Sequence, residues 1–156
     1  MSTSNPKDNS TFLEKVRLRR AVVAAAPPNF VVLETHGGLG RIYDRTWFRA
    51  GGGLVMELAE EKAEALAQHR AGWRVYQGDS LRALRAGLAA DMRFDVIDLG
   101  PYGSPHDYLD ALAAPGRQWP DRLQLVVNDG LRQTLAIGGG WRCAAMSAMV
   151  LKYGNG

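Results

Sequence analysis

Four acidic residues each follow a short apolar run. Glu34 follows Phe30, Val31, Val32 and Leu33. Glu57 follows Leu54, Val55 and Met56, Asp79 comes after Trp73, Val75 and Tyr76, and Asp98 after Phe94, Val96 and Ile97. Carboxylates accept hydrogen bonds from hydroxyls and amines, attract cations, and repel one another and phosphates. Four at one sheet edge suit a ligand with ribose hydroxyls, an amino group and a cationic centre, and suit a bare phosphate poorly. The first acid opens a turn holding His36, Gly38 and Gly40, where glycine lets the backbone bend tightly and approach a ligand. Glu57 follows Gly38 by 19 residues, a spacing at which an acid can meet ribose hydroxyls in nucleotide-binding folds. Asp79, with Ser80 beside it, can face an adenine amino group. Each acid also has a plainer role as a solvated carboxylate at a helix start. Asp98 leads into Gly100, Pro101, Tyr102, Gly103, Ser104 and Pro105, a rigid loop bearing an aromatic ring.

Other chemistries fit less well. The dinucleotide pattern G-x-G-x-x-G has Gly38 and Gly40 but Tyr43 at its third position, and no G-x-x-x-x-G-K-[ST] string occurs. His36, His69 and His106 lack metal-ligand spacing, so no metal is expected. His36 could contact the ligand or simply pack the turn. Cys143 stands alone, which rules out an internal disulfide or multi-cysteine zinc site and favours a reducing, cytoplasmic location. No apolar run approaches the ~18 residues that span a membrane. The apolar part of residues 17–26 is too short for a signal peptide.

Those residues need a frame to hold them. Residues 1–10 are polar and read as a flexible terminus; residues 11–156 read as one domain. Ser10 or Thr11 could cap a helix over 12–26, ended by Pro27 and Pro28. Strands are predicted over 30–33, 54–56, 73–76, 94–97 and 123–127. Helices are predicted over 40–49, 59–71, 81–90 and 106–114, with Gly51, Gly52 and Gly53 breaking the chain. This alternation indicates βαβ units with right-handed crossovers, hence an α/β, doubly wound, mostly parallel sheet. The C-terminal part looks shortened. After a break at Gly138, Gly139 and Gly140, residues 141–153 could be helix or strand.

With 46% hydrophobic and 22% charged residues the chain reads as globular; a net charge of +3 and a pI of about 9.2 are compatible with an anionic partner. Lys15, Arg17, Arg19 and Arg20 cluster on the first helix. Arg41, Arg45 and Arg49 would share a helix face, and Arg82 and Arg85 form a smaller pair. Such stripes could track a phosphate backbone, although a solvated face explains any one of them. Trp47, Trp73, Trp119 and Trp141 read as packing residues.

The first turn and the three acids after it resemble class I S-adenosylmethionine-dependent methyltransferases, whose loop reads roughly E/D-x-G-x-G-x-G. Glu34, Gly38 and Gly40 match, and His36 replaces the first glycine. The resemblance covers about residues 30–130 and implies a Rossmann-like methyltransferase fold with S-adenosylmethionine as cofactor. It places Glu34, His36, Gly38 and Gly40 near the methionine part, Glu57 at the ribose, Asp79 and Ser80 at the adenine, and Asp98 beside the ligand. Residues 95–105 resemble the fourth motif of the tRNA guanine-26 N2-dimethyltransferases; Tyr108 to Leu112 and, more loosely, Lys152 to Gly154 also resemble that family. This implies methylation of a base nitrogen in RNA or DNA, with RNA favoured over DNA, and puts Asp98, Pro101 and Tyr102 on the acceptor side. Gly100 stands where that family has its second aspartate. Two other functions share these features: a non-catalytic cofactor-binding partner subunit, and a nicotinamide-dependent oxidoreductase. A homodimer is left open, and no membrane partner is expected.

Overall fold

The computed structural model describes residues 11–101 and 103–128. Tyr102, Ser10, Cys143, Trp141, Lys152 to Gly154, the predicted break at 138–140 and the element predicted over 141–153 lie outside the described residues.

Five strands form one sheet: β1 (Val31–Glu34), β2 (Gly52–Glu57), β3 (Trp73–Gln77), β4 (Val96–Leu99) and β5 (Gln124–Val127). All neighbouring pairs are parallel, in the order β3-β2-β1-β4-β5. The helices are α1 (Phe12–Ala25), α2 (Glu60–His69), α3 (Ser80–Arg85) and α4 (His106–Leu112). The doubly wound parallel sheet expected from the strand–helix alternation is the sheet that forms. Its order reverses between β1 and β4, so a topological switch point lies between their carboxyl ends, where open α/β sheets bind ligands.

Side chains alternate across the strands, and both faces are covered, as a parallel sheet requires. Leu33, Leu54, Met56, Ile97 and Leu99 pack on Leu84 of α3 and Tyr108, Ala111 and Leu112 of α4. Val32, Val96 and Val126 point the other way, onto Trp47 and against Val22 and Val23 of α1.

Four local predictions need correction. The helix expected over 40–49 is instead two 3-10 turns, Tyr43–Arg45 and Trp47–Arg49. Thr46 leaves helical geometry between them, and its hydroxyl donates to the Ile42 carbonyl at 2.7 Å. This swings Trp47 fully into the core, so Arg41, Arg45 and Arg49 do not share an α-helical face. The helix predicted over 81–90 ends at Arg85. The Leu88 N–H donates to Ala83 and the Gly87 N–H to Leu84, a Schellman closure around Gly87 at φ 87°. The glycine break at 51–53 is partly strand. Gly53 lies in β2, at a position where a Cβ would strike the Val32 carbonyl and the Trp73 ring. The strand predicted over 94–97 runs two residues further on, which places Asp98 inside β4. Thr11 does precede α1, but its side chain makes no capping bond.

Candidate functional site

A cleft of about 460 Å³ opens at the carboxyl edge of the sheet. Its walls come from the turn after β1, the ends of β2, β3 and β4, and the starts of α2, α3 and α4.

Glu57 closes β2. Its Oε2 accepts the Gly38 N–H at 2.7 Å and its Oε1 accepts the Ala59 N–H at 3.0 Å, just before α2. One carboxylate therefore ties the glycine turn to the helix start. Gly38 and Gly40 both have positive φ, 55° and 76°, a region L side chains rarely adopt. Gly38 lines the cleft; Gly40 shapes the turn behind it, donating to the Gly37 carbonyl at 3.0 Å. After β3, Asp79 caps α3 by accepting the Arg82 N–H at 2.8 Å through Oδ1.

The cleft floor is a chain of hydroxyls and an imidazole. The Ser80 and Tyr108 hydroxyls lie 3.0 Å apart, and the Tyr108 hydroxyl is 3.3 Å from His36 Nε2. His36 Nδ1 is 2.9 Å from the Thr35 hydroxyl, which also reaches the Asp98 backbone carbonyl at 3.2 Å. The His36 and Tyr108 rings meet edge to face, centroids 5.4 Å apart. Burial pushes the His36 imidazole below its usual 6.5, against the opposing pull of Glu57, Asp98 and Asp79.

Two of the four acids do not reach the cleft. Glu34 and Asp98 are in register on β1 and β4 and both are buried. Asp98 receives two hydrogen bonds from Arg19, each 2.6 Å, and one from Trp47 Nε1 at 2.9 Å. Arg19, counted among the solvated basic residues of α1, is therefore an interior partner, only 2% exposed. Glu34 accepts from Arg70 at 2.5 Å, and the Arg70 guanidinium stacks on the Tyr43 and Trp73 rings. The expected rim of four carboxylates is thus two: Glu57 and Asp79 line the cleft, while Glu34 and Asp98 anchor the sheet to its helices. Pro101 is buried and does not line the cleft, Gly100 is on the wall, and Tyr102 lies outside the described residues.

Burial pushes the Glu34 carboxyl up to about 7, against the lowering pull of Arg70 and with Asp98 adding to the rise. A folded-state pKa above the ordinary 4.5 means that the fold binds extra proton between these values. That contribution to stability is complete below about 4.5 and is lost as pH rises through about 7. Glu34→Gln keeps an acceptor for Arg70 and removes the titration. Urea unfolding should show wild type losing about 3 kcal/mol more than the variant between pH 5 and pH 8. The comparison cancels His36, whose lowered pKa acts in the opposite direction; parallel pH profiles for the two proteins would contradict the assignment.

Sequence reasoning missed Thr35, Lys62, Tyr108 and Gly78 as cleft residues. Strand alternation puts Thr35 opposite Glu34, and Lys62 lies in the first turn of α2, directly after the end of β2, so both had a local signal. Tyr108 had only the resemblance of residues 108–112, because α4 meets the turn after β1 through the tertiary fold.

No protein-family model matches the chain, and no curated protein does. Among solved structures it is similar to the candidate methyltransferase yhhF from Escherichia coli, with 13% identity and a TM-score of 0.53 over 74% of this chain and 64% of that one. The chain thus spans less than two thirds of that protein's length. It is more loosely similar to CalS10 from Micromonospora echinaspora, an amino pentose methyltransferase bound to S-adenosylmethionine, with 17% identity and a TM-score of 0.46 over 72% of this chain and 51% of that one. The candidate RNA methyltransferase PH1948 from Pyrococcus horikoshii gives 17% identity and a TM-score of 0.46 over 72% and 63%. At 13% identity the first likeness shows the fold, a Rossmann-like methyltransferase fold; the other two are too loose to carry an argument. Among the described residues no helix is long and apolar enough to cross a membrane.

Proposed function

We propose that this chain binds S-adenosylmethionine and transfers its methyl group to a nitrogen of a nucleic-acid base, in RNA rather than DNA. The observation that carries this reading is the pairing of Glu57 and Asp79 at the ends of adjacent strands, beside a glycine turn, in one cleft. The cleft fits the cofactor in size and donor set: its volume falls in the usual range for small-molecule sites. The Glu57 carboxylate suits ribose hydroxyls, Asp79 and Ser80 suit an adenine amino group, and the turn at Gly38 suits the methionine part. Two carboxylates at the rim also favour a cationic ligand over a phosphate. The name of the Escherichia coli protein that shares the fold agrees with this chemistry.

When bound, the cofactor supplies an electrophilic methyl group on a cationic sulfur. The chain's own contribution is positioning. Asp98 acts through Arg19 and Trp47, holding the end of β4 where Gly100 lines the cleft; Pro101 and Tyr102 are proposed for the acceptor side on the resemblance alone. The resemblance of residues 95–105 to tRNA guanine-26 enzymes supports a base nitrogen as acceptor. Such a base must leave its stack to reach the cleft.

Isothermal titration with S-adenosylmethionine should give one site per chain. No binding at about 1 mM ligand, meaning less than about 4 kcal/mol of affinity, would overturn the reading. Incubation with radiolabelled cofactor and separated pools of RNA, DNA and protein should then label RNA. Gly100, which brings no side chain to the cleft, favours a second reading: a cofactor-binding partner subunit that does not itself transfer the methyl group. Cofactor binding with no label in any pool would select it.

A further inference from the structure

The cleft has two ends. Glu57, Asp79 and Ser80 occupy one, where the hydrogen-bond acceptors stand. Gly100 marks the other, at the end of β4. His36 lies between them. Its Nε2 reaches Tyr108, which is bonded to Ser80, and its Cβ is 3.8 Å from the point a Cβ on Gly100 would occupy. A nucleoside held at the first end, with its reactive group directed to the second, must pass this ring.

The ring is built to be a satisfied neutral group. Both nitrogens face hydroxyls: with the Thr35 proton donated to the Asp98 carbonyl, Nδ1 carries the ring proton and Nε2 accepts from Tyr108, a fully bonded neutral tautomer. We propose that His36 is the residue that discriminates by charge between a cationic sulfonium ligand and its neutral thioether counterpart. This inference rests on the methyl-donor reading of the cleft. An uncharged imidazole beside the ligand accepts both molecules. An imidazolium repels the sulfonium and leaves the thioether untouched. Burial already holds the imidazole below 6.5, so the sulfonium is accommodated at neutral pH. The charged and titratable groups around His36 are Glu57 from β2, Asp79 before α3, Asp98 from β4, Tyr108 from α4 and, on the same cleft wall, Lys62 from α2. The three carboxylates favour the proton and burial, the larger effect, opposes it.

The test is the ratio of dissociation constants for S-adenosylmethionine and S-adenosylhomocysteine, measured by titration calorimetry from pH 5 to pH 8. The amino and carboxyl groups common to the two ligands cancel in this ratio. In wild type the ratio should move about tenfold towards the thioether on acidification, the size of a partly screened charge–charge contact. In His36→Gln it should stay flat across the range. His36→Asn provides a second uncharged variant, and thermal unfolding with and without the thioether reports that each variant is folded and binding. A flat ratio in wild type overturns the proposal. So does a pH-dependent ratio that survives in both variants, which would assign the effect to the carboxylates. Binding of neither ligand by folded wild type overturns the methyl-donor reading itself and this inference with it.

Discussion

Replacing Arg19 by methionine is expected to lower the free energy of unfolding by about 3–5 kcal/mol, the usual cost of breaking a buried ion pair from one side. The reason is the carboxylate left behind. Asp98 is 2% exposed and takes two charge-assisted hydrogen bonds from Arg19 at 2.6 Å. Without them it retains the Trp47 indole N–H at 2.9 Å, which supplies no charge. Urea denaturation of Arg19→Met, monitored by far-ultraviolet circular dichroism, measures the loss. The double variant Arg19→Met/Asp98→Leu should recover most of it, because removing both charges removes the unpaired one. Arg85→Ala is the surface control. Its pair with Asp107 is more than half exposed on both sides, and its loss should cost under about 1 kcal/mol. An Arg19 variant as stable as the Arg85 variant would show that Asp98 does not carry the charge that the geometry assigns to it. The pair matters beyond stability, because it joins α1, the Trp47 turn and β4 just behind Gly100.

Glu57→Ala is expected to weaken S-adenosylmethionine binding by about 100-fold or more. Hydrogen bonds to a charged group each contribute about 1.5–3 kcal/mol, and a carboxylate facing ribose hydroxyls can make two. The substitution also frees the Gly38 and Ala59 N–H groups that Glu57 now receives, loosening the turn and the start of α2. Glu57→Gln keeps one acceptor oxygen and should fall between. Glu34→Gln provides the contrast, since Glu34 is sealed against Arg70 and does not line the cleft. Its dissociation constant should stay within about threefold of wild type, a change of about 0.6 kcal/mol. Titration calorimetry on the three variants separates a cleft of two acids from a rim of four. Equal losses at Glu34 and Glu57 would restore the four-acid rim.

The order of strands and helices could be read along the chain because each element carries its own periodicity. Short β-branched runs bounded by glycine or proline, and helical spacing in 60–69, are local signals that burial in the sheet did not override. The misread segment, 40–49, has no such autonomy. Thr46 breaks it so that Trp47 can reach Asp98, a partner 51 residues away. The early end of α3 did have a local sign in Gly87, which sits where a helix closes with a left-handed residue.

The candidate site divides in the same way. By itself the sequence determined which residues stand at strand ends and which turn carries the glycines, since both follow from runs of a few residues. Only the tertiary structure decided where the acids point. Side chains alternate from one face of a strand to the other, so a shift of a single position sends a carboxylate from the cleft to the helix layer. Arg19 and Arg70 lie 79 and 36 residues from their acids, and no local pattern reveals that they would claim Asp98 and Glu34. Glu57 and Asp79 were left to the cleft because their partners are backbone N–H groups, those of Gly38 in the turn after β1, Ala59 before α2 and Arg82 in α3, which hold a carboxylate at the sheet's edge instead of drawing it inside.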